Sequence, residues 1–547
     1  MANSSNAFKA SELPESPQSH PQTLSPGRKS YRFWLILFAL LIAVFLSLLE
    51  SYAFSTILPV VVEDLRGTQF IWVATTYGIA STALLPLSGG LAEIFGRRPV
   101  VLGSIVIFAV GSAVGGAAKD MNVLLNTAAD TSNCAALQGA GAGGINTLAQ
   151  IILSDLVTLE ERGKYNGLIG LIWSLSGGVG PVIGGALGHH KTWRWLFYLN
   201  LPLAGLCLVV ITIFLRVPTP PGTIQEKVKK IDFIGNTLIV GVICSAAIAL
   251  TWGGVVYPWN SARVLVPLYA QIALVAFLNI NLLCKLRFYY DLSPLLIPAR
   301  ADYLPVYFQA CKSASPTASG VDILGLTLST APLSMIAGAS VTITKRYRPQ
   351  LWFAWCCMLI SSGLFSTLGA DSSRAKSIGF QAIAGAGVGI MFSCSYFPVL
   401  APLPVSANAY AVSLLVFLRN LFQVLGVAAG GAILQNELQH RLPSSTLSSI
   451  QDQQSQNIAF AIIPLIPSLP QPERDAVREA FAEALRVVWR MLIGFSAAGV
   501  LISAGMKAVP LHTVKDETWG LKEGERDTVK EITRSDGEAA LDVEMKA

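Results

Sequence analysis

Long apolar runs alternate with short polar connections along most of this chain. A membrane span needs roughly twenty predominantly apolar residues, because the bilayer interior is about 30 Å thick and each helical residue rises about 1.5 Å. By that rule the pattern predicts thirteen helices: 33–60, 70–90, 100–118, 135–156, 167–188, 195–215, 234–252, 264–284, 323–343, 351–369, 377–400, 407–434 and 487–506. Backbone amides in lipid must be bonded within their own segment, and helices do this. The pattern therefore predicts an all-α polytopic membrane protein.

The composition supports the membrane class and narrows the function. Of the 547 residues, 52% are hydrophobic and only 13% are charged, against about a quarter charged in soluble proteins. The formal net charge of +6 does not indicate nucleic-acid binding, because the basic residues lie at helix ends, as in cytosolic loops of membrane proteins. The eight cysteines form no CxxC spacing, and neither a metal site nor a disulfide framework is expected. No nucleotide-binding loop or nucleophile pattern is present, so we expect neither an enzyme nor a cofactor.

Three polar regions lie outside the apolar runs. Residues 1–32 and 507–547 are expected to be disordered cytosolic tails, because they lack the apolar residues needed for a packed core. Residues 436–486 are expected to form a long polar loop, with a short amphipathic helix around 472–485.

The distribution of basic residues tests the number of crossings. Basic clusters before the first helix and after the second, fourth, sixth and eighth helices all fall on the cytosolic side. Lys345, Arg346 and Arg348 should lie there too, but thirteen crossings place them outside. One crossing is therefore missing from the count.

The segment GGLAEIFGRR lies between the second and third predicted helices. It contains Gly89, Glu93, Gly96, Arg97 and Arg98. Glycines allow a tight turn and close helix contact, and the arginines can bond the C-terminal carbonyls of a neighbouring helix. The segment is therefore a candidate gating turn, and the alternative is a positively charged turn that only sets topology.

The fifth predicted helix carries a run of small residues, GGVGPVIGG. Its members include Gly177, Gly180, Pro181, Gly184 and Gly185. Small residues let helices approach closely, and a proline frees a carbonyl and permits bending. The alternative is a packing face without a further role.

Two charged residues fall inside predicted spans, where charge is costly and marks a functional candidate. Glu50 lies in the first helix and is a candidate for proton binding, with structural pairing or a position near the outer interface as alternatives. Arg419 lies within 407–434 and is a candidate for contact with an anionic substrate or a carboxylate. For Arg419 the alternative is packing against helix-end carbonyls.

Together these segments resemble the fungal fourteen-helix drug:proton antiporter group of the major facilitator superfamily. GGLAEIFGRR is similar to the GxLaDrxGrr signature, and GGVGPVIGG resembles the antiporter signature. WRWLFYLNLP (193–202) resembles the WRWxFxxNxP element. LESYAFSTILP in the first helix is similar to LDxTIVxxALP, with Glu50 in place of the aspartate. The order and spacing of these motifs are specific, and the resemblance runs from about residue 45 to 505.

The resemblance implies two six-helix bundles, 33–215 and 291–506, joined by a linker, 216–290, with two extra helices. It implies a monomeric, proton-coupled exporter of a small organic compound, such as a drug, toxin or secondary metabolite. The plasma membrane is the expected location, with the vacuolar membrane as the alternative. Import of a nutrient or iron chelate, an inactive remnant and a membrane sensor remain alternative functions.

Two segments depart from the family pattern. Helix four keeps Gln138 and Gly139 of the RxxQGxGaGG element, but Ala135 stands at the arginine position and the preceding stretch 126–134 is polar. Family members also place a long apolar helix after a PxR element, whereas Arg300 here directly precedes ADYLPVYFQ. One helix of the second bundle is therefore expected to be truncated. Exon-boundary errors and real loss in a degenerate transporter are both open explanations. We expect this chain to insert poorly and transport weakly.

Overall fold

A computed structural model of the chain describes residues 29–65, 70–118, 134–190, 192–253, 257–258, 260–270, 293–404, 407–444, 446 and 458–511. Within these ranges the regular structure is helical, apart from an isolated bridge between Gly253 and Tyr257. The all-α prediction is confirmed for them.

Eight helices form the first half of the described chain: α1 (Tyr31–Leu65), α2 (Phe70–Phe95), α3 (Arg97–Gly116), α4 (Cys134–Leu156), α5 (Leu159–His189), α6 (Arg194–Phe214), α7 (Ile224–Lys229) and α8 (Phe233–Trp252). Residues 262–270 are helical as well. Local chemistry fixes several boundaries. The side chain of Asp232 accepts the backbone N–H of Gly235 at 2.8 Å, which satisfies one of the free donors at the start of α8.

The second half contains α9 (Ser293–Lys312), α10 (Pro316–Asp322), α11 (Leu324–Thr344), α12 (Arg348–Phe365), α13 (Arg374–Cys394), α14 (Tyr396–Leu400), α15 (Asn408–Arg441), α16 (Ile458–Ile462) and α17 (Glu473–Ala504). A 3-10 helix, Ile463–Ser468, follows α16. Among the described residues, nine helical segments are long and apolar enough to span a membrane.

Each predicted span except the eighth coincides with a described helix, so hydropathy located these helices correctly. The eighth, 264–284, lies mostly outside the described residues, as do the two tails and most of the polar stretch 126–134.

The segment expected as a polar loop over 436–486 contains more helix than predicted, and the amphipathic helix expected around 472–485 forms the start of α17. α15 continues to Arg441 and α17 begins at Glu473, so both helices extend beyond the apolar runs that predicted them. Arg441 pairs with Glu437 at 2.8 Å within α15, and also with Glu483 on α17. Helix ends outside lipid are stabilised by such polar pairs and need no apolar residues, which is why hydropathy does not show them.

The segment expected to be a poor span, 292–310, forms helix α9. Twenty residues cover about 30 Å, which matches the thickness of a bilayer interior. The Tyr303 hydroxyl donates to the Val427 carbonyl of α15, and Arg478 of α17 donates to the Cys311 carbonyl at 2.9 Å. The count of thirteen crossings therefore omits α9, a helix that packs among the others. α9 is not one of the nine described helical segments that are apolar enough to span a membrane by composition.

The buried side chains form two large apolar cores. α1 and α3 to α6 contribute the first core, with Ile36 and Phe108 among its fully buried members. α9, α11 to α15 and α17 contribute the second, with Phe308 and Trp489 among its members. Phe392 of α13 belongs to the first core, so the two sets of helices are in direct contact at that side chain.

Several helix pairs join the sets, and α5 with α11 and α2 with α15 form the most extensive contacts. At one end of these pairs Glu160 of α5 forms an ion pair with Lys345, which follows α11. The adjacent Glu161 pairs with Lys29 at 2.7 Å. We call this the inner end, because the basic residues that flank the spans there mark the cytosolic side. With α9 included, the Lys345 cluster lies on the side that its charge requires.

We predict that α9 crosses the membrane. The variant Ser444→Cys should then react with an impermeant maleimide in intact cells, and Ala508→Cys should react only after permeabilisation. Both residues are exposed, one beyond each end of the second core. The unmodified chain is the control, because Cys356 is already exposed.

Labelling of Ala508→Cys in intact cells would show that α9 does not cross. The same cells test the expectation of poor insertion. If α9 inserts poorly, an apolar segment of roughly twenty residues inserted after Arg300 raises the amount of protein in the membrane, and an unchanged amount would contradict that expectation.

Candidate functional site

Glu50 lies in a buried polar cluster built by four helices. Its side chain is 2% exposed, and Oε2 accepts a hydrogen bond from Nδ2 of Asn200 on α6 at 2.7 Å. That Nδ2 also lies 3.3 Å from the hydroxyl of Ser112 on α3, which accepts from Nε2 of Gln138 on α4 at 2.9 Å. Oε1 has no hydrogen-bond partner among the described residues. Neutral groups therefore hold the Glu50 carboxyl.

The cluster lies towards the outer end of the first core. Ser112 is one turn, about 6 Å, before the end of α3 at Gly116. Beyond it, the carboxylate of Asp64 at the end of α1 accepts from Trp193 at 3.0 Å and from Arg194 at 3.1 Å. Arg194 also donates to the carbonyl of Ala118. The first tryptophan and the arginine of the WRW element therefore join α1, α3 and α6 above Glu50.

The gating-turn motif forms a buried ion-pair network at the inner end. Arg97 is 2% exposed and pairs with Asp155 of α4 at 3.0 Å and with Glu93 of α2 at 2.8 Å. It also donates to the carbonyl of Ala92 at 3.0 Å. One guanidinium thus connects the ends of three helices, which is more than setting topology requires.

The other members of the motif make separate contacts. Gly96 has a φ of 98°, a backbone conformation that residues with a side chain rarely adopt. It turns the chain between α2 and α3. Arg98 donates to the carbonyl of Thr212 in the last turn of α6 at 2.5 Å. A Cβ at Gly89 would lie 2.6 Å from the Cβ of Ser413, so α2 and α15 approach each other closely at the inner end.

Small residues of α5 form contacts with two neighbouring helices. A Cβ at Gly178 would lie 3.2 Å from side chains of α11, and one at Gly180 would lie 2.7 Å from the Cβ of Tyr52 on α1. A Cβ at Gly185 would contact Thr317 of α10, and a Cβ at Gly320 would contact Pro181. The nearest side chains to Gly177 are those of Thr327 and Tyr52. Gly184 is buried in the same helix. The run therefore lies between α1 and the second set of helices.

The helix-four motif has a similar packing role. A Cβ at Gly139 would strike the backbone of Tyr77 on α2, and one at Gly141 would lie 2.5 Å from the backbone nitrogen of Phe108 on α3. α4 can therefore fit between α2 and α3, and this close fit places Gln138 beside Ser112. Ala135, at the family's arginine position, is buried one turn away.

Arg419 lies between the two sets of helices, away from Glu50. It is 6% exposed and donates to the hydroxyls of Tyr396 at 3.1 Å and Ser395 at 2.7 Å. Tyr396 in turn donates to Gln150 of α4. The alternative of packing against helix-end carbonyls is not what these contacts show, because both acceptors are side chains.

The structure therefore separates the two charged candidates. Glu50 is near the outer end of the first core, whereas Gln150 lies about 9 Å from the inner end of α4 at Leu156. No role could be predicted for Ser112, Gln150 or Tyr396, because single polar residues in apolar runs carry no spacing signal. Asn200 belongs to the WRWLFYLNLP motif, but the motif alone does not indicate its partner.

We predict that replacing Arg97 and Arg98 together by alanine destabilises the protein strongly. The change leaves Asp155 buried without its cation, which costs about 3–5 kcal/mol for a buried pair. Folded protein in the membrane and its melting temperature are the measurements. The matched control is Lys229→Ala with Lys230→Ala, because both lysines are exposed in the linker. Equal effects of the two double variants would reduce the turn to a topology signal.

Comparison with known proteins gives consistent matches over the whole chain. The chain is 34% identical to "Efflux pump FUS6" of Gibberella moniliformis over 98% of each protein. It is 32% identical to "MFS-type efflux pump LUC4" of a Fusarium species, over 96% of this chain and 95% of the relative. An acurin A biosynthesis cluster MFS-type transporter of Aspergillus aculeatus is 34% identical, over 92% of this chain and 94% of its own length.

A solved structure agrees on the fold. The human organic anion transporter MFSD10 (TETRAN) superposes with a TM-score of 0.56 at 14% identity, covering 87% of this chain and 100% of that chain. At that identity the likeness concerns the fold alone. The sequence model of the Major Facilitator Superfamily matches residues 40–430. With these full-length relatives above 30% identity, this multi-pass membrane protein belongs to the major facilitator superfamily.

Proposed function

We propose that this chain exports a small organic compound across a fungal membrane, driven by inward proton flow. Relatives of nearly equal length carry the names efflux pump or transporter, and one belongs to a biosynthesis cluster. Export of a drug, toxin or secondary metabolite from the cell is the function that fits these names. The plasma membrane is the proposed location and the monomer the proposed state.

The proposed mechanism is alternating access between two bundles. Residues 33–215 and 291–506 form the bundles, and the linker 216–290 contributes the extra helices. Substrate binds between the bundles, which rock against each other about the α5–α11 and α2–α15 contacts. Glycines on α5 and α2 keep these contacts free of large side chains, which supports relative movement of the helices.

The environment of Glu50 is the observation that supports the proposal of proton coupling. Among the described residues, the other acidic side chains in the first core, Asp155 and Glu93, pair with Arg97. Glu50 has the side-chain amides of Asn200 and Gln138 as its hydrogen-bond partners and, within the described part of the chain, forms no salt bridge. A carboxyl group buried without a cation is much less costly when it is protonated. The site is therefore suited to hold a proton and to release it when water reaches it.

An inactive remnant is the second candidate. The alignment with FUS6 runs over 565 positions, although this chain has 547 residues. The relative therefore contains segments without a counterpart here, as the expected truncation of one helix requires. An importer or a membrane sensor is distinguished by the assays below.

We predict that Glu50→Gln leaves the protein in the membrane but abolishes uphill export. The amide keeps the size and the hydrogen bond to Asn200 but cannot carry a proton. The chain is first expressed in a yeast strain that lacks its own drug pumps, to find toxic metabolites against which it protects. Energised vesicles then measure export of a protecting compound, and counterflow without a proton gradient measures exchange.

Exchange should survive in Glu50→Gln while gradient-driven export is lost. Glu226→Gln is the control, because Glu226 lies exposed on the linker helix α7. Normal uphill export by Glu50→Gln would remove Glu50 from the mechanism. Protection against no compound would support the remnant, and increased sensitivity would support the importer.

A further inference from the structure

One face of α5 presents hydrogen-bond donors that no described residue accepts. They are Nε and Nη1 of Arg162, Nδ2 of Asn166 and Nε1 of Trp173. Arg162 and Asn166 are each 3% exposed. The three residues are separated by four and seven positions, so they lie on the same side of the helix. A buried donor without an acceptor is costly and requires an explanation.

Two of these residues, Trp173 and Arg162, lie beside the contacts of Arg419. The ring of Trp173 is 5.3 Å from that of Phe392 on α13, and Arg162 is close enough to Tyr396 to interact electrostatically. The guanidinium carbon of Arg419 lies 4.6 Å from the centre of the Phe392 ring and 5.1 Å from that of Tyr396. The same two aromatic residues thus connect the α5 donors with Arg419.

Positive charge exceeds negative charge in this inner half. Arg162 faces Asp155, but Asp155 already pairs with Arg97 at 3.0 Å. Arg97 also pairs with Glu93, so among the described residues both carboxylates next to these buried guanidinium groups pair with Arg97, and Glu160 and Glu161 at the inner end pair with Lys345 and Lys29. Arg419 has hydroxyls and aromatic rings as partners in place of a carboxylate. A cation this far from water is stabilised far more by an anion than by neutral groups.

We propose that Arg419, Arg162 and Asn166 form the inner binding site for an organic anion, a compound that carries a carboxylate next to an apolar body. The inference rests on the proposed function, because it names the class of compound that the exporter takes from the cytosol. The carboxylate accepts from Arg419 and from the α5 donors. Phe392 and Trp173 contact the apolar part.

The contacts of Arg419 explain why such a site responds to substrate. The hydroxyl of Tyr396 accepts from Arg419, which belongs to the same second set of helices, and donates to Gln150, which belongs to the first set. A carboxylate that binds both prongs of the Arg419 guanidinium replaces the hydroxyl acceptors with a stronger, charged partner. Tyr396 is then released from Arg419, which changes the contact that holds the two sets of helices together.

Matched acids and amides test the proposal on the purified full chain. The chain is placed in nanodiscs of phosphatidylcholine alone, so that no anionic lipid headgroup competes. Thermal stability is then measured against benzoate, cinnamate and indole-3-acetate, and against the amide of each. At least one acid should raise the melting temperature with concentration while its amide does not. Arg419→Gln should weaken the apparent affinity for that acid by about tenfold or more, as expected for loss of a charge-assisted hydrogen bond.

Two further variants make the result specific. Arg216→Gln, an exposed arginine after α6, should leave acid binding unchanged. Arg419→Lys keeps the charge but loses the two-pronged geometry, so it should retain part of the acid selectivity even if Arg419→Gln does not fold. Equal shifts with acids and amides, no shift with any acid, or full selectivity in a folded Arg419→Gln protein would each overturn the proposal. Export of a neutral metabolite that is unaffected by Arg419→Gln would overturn it too, while the proposed export function would stand.

Discussion

The absence of water inside the bilayer is the constraint on which this structure depends. A buried charge there must find a partner within the protein. Arg97 satisfies this with two carboxylates from two helices, and in doing so it fixes the inner ends of α2, α3 and α4. Glu50 and Arg419 solve the same problem with neutral groups only. The paired charges therefore hold the structure, whereas Glu50 and Arg419 are the charges that the proposed function uses.

The second constraint is close helix contact without a hydrophobic driving force. Lipid is as apolar as leucine, so helices in membranes associate through close packing of small residues. Gly139 and Gly141 let α4 approach α2 and α3, which brings Gln138 to Ser112. Along α5, glycines meet α1 on one side and α11 on the other. The same residues that assemble the polar cluster thus also form the surface on which the two sets of helices meet.

Hydropathy was sufficient to locate the helices because a span has a minimum apolar length. It did not show the last turns of α15 near Arg441 or the helix α9, which polar contacts hold, whereas the start of α17 was expected as a short amphipathic helix. Family motifs pointed to Arg97 and Glu50, but they could not supply Asp155, the partner of Arg97, or Ser112, which accepts from the Asn200 that holds Glu50. The network from Arg419 through Tyr396 to Gln150 lay beyond prediction, since it joins three separate helices by single side chains.

Ala135 changes what the Glu50 site can do. An arginine at that position would offer a cation one turn from Gln138, and a carboxylate beside a cation stays charged. Here the described partners of Glu50 are the amides of Asn200 and Gln138 and, through them, the hydroxyl of Ser112. If Glu50 carries the proton, release cannot be driven by a nearby arginine that moves in. The proton must then be released to water that enters the cluster. The hydrogen bonds of Asp64 with Trp193 and Arg194 lie between the cluster and the outer end of the helices. Breaking these hydrogen bonds of Asp64 is therefore the step that would couple proton binding to the movement of α1.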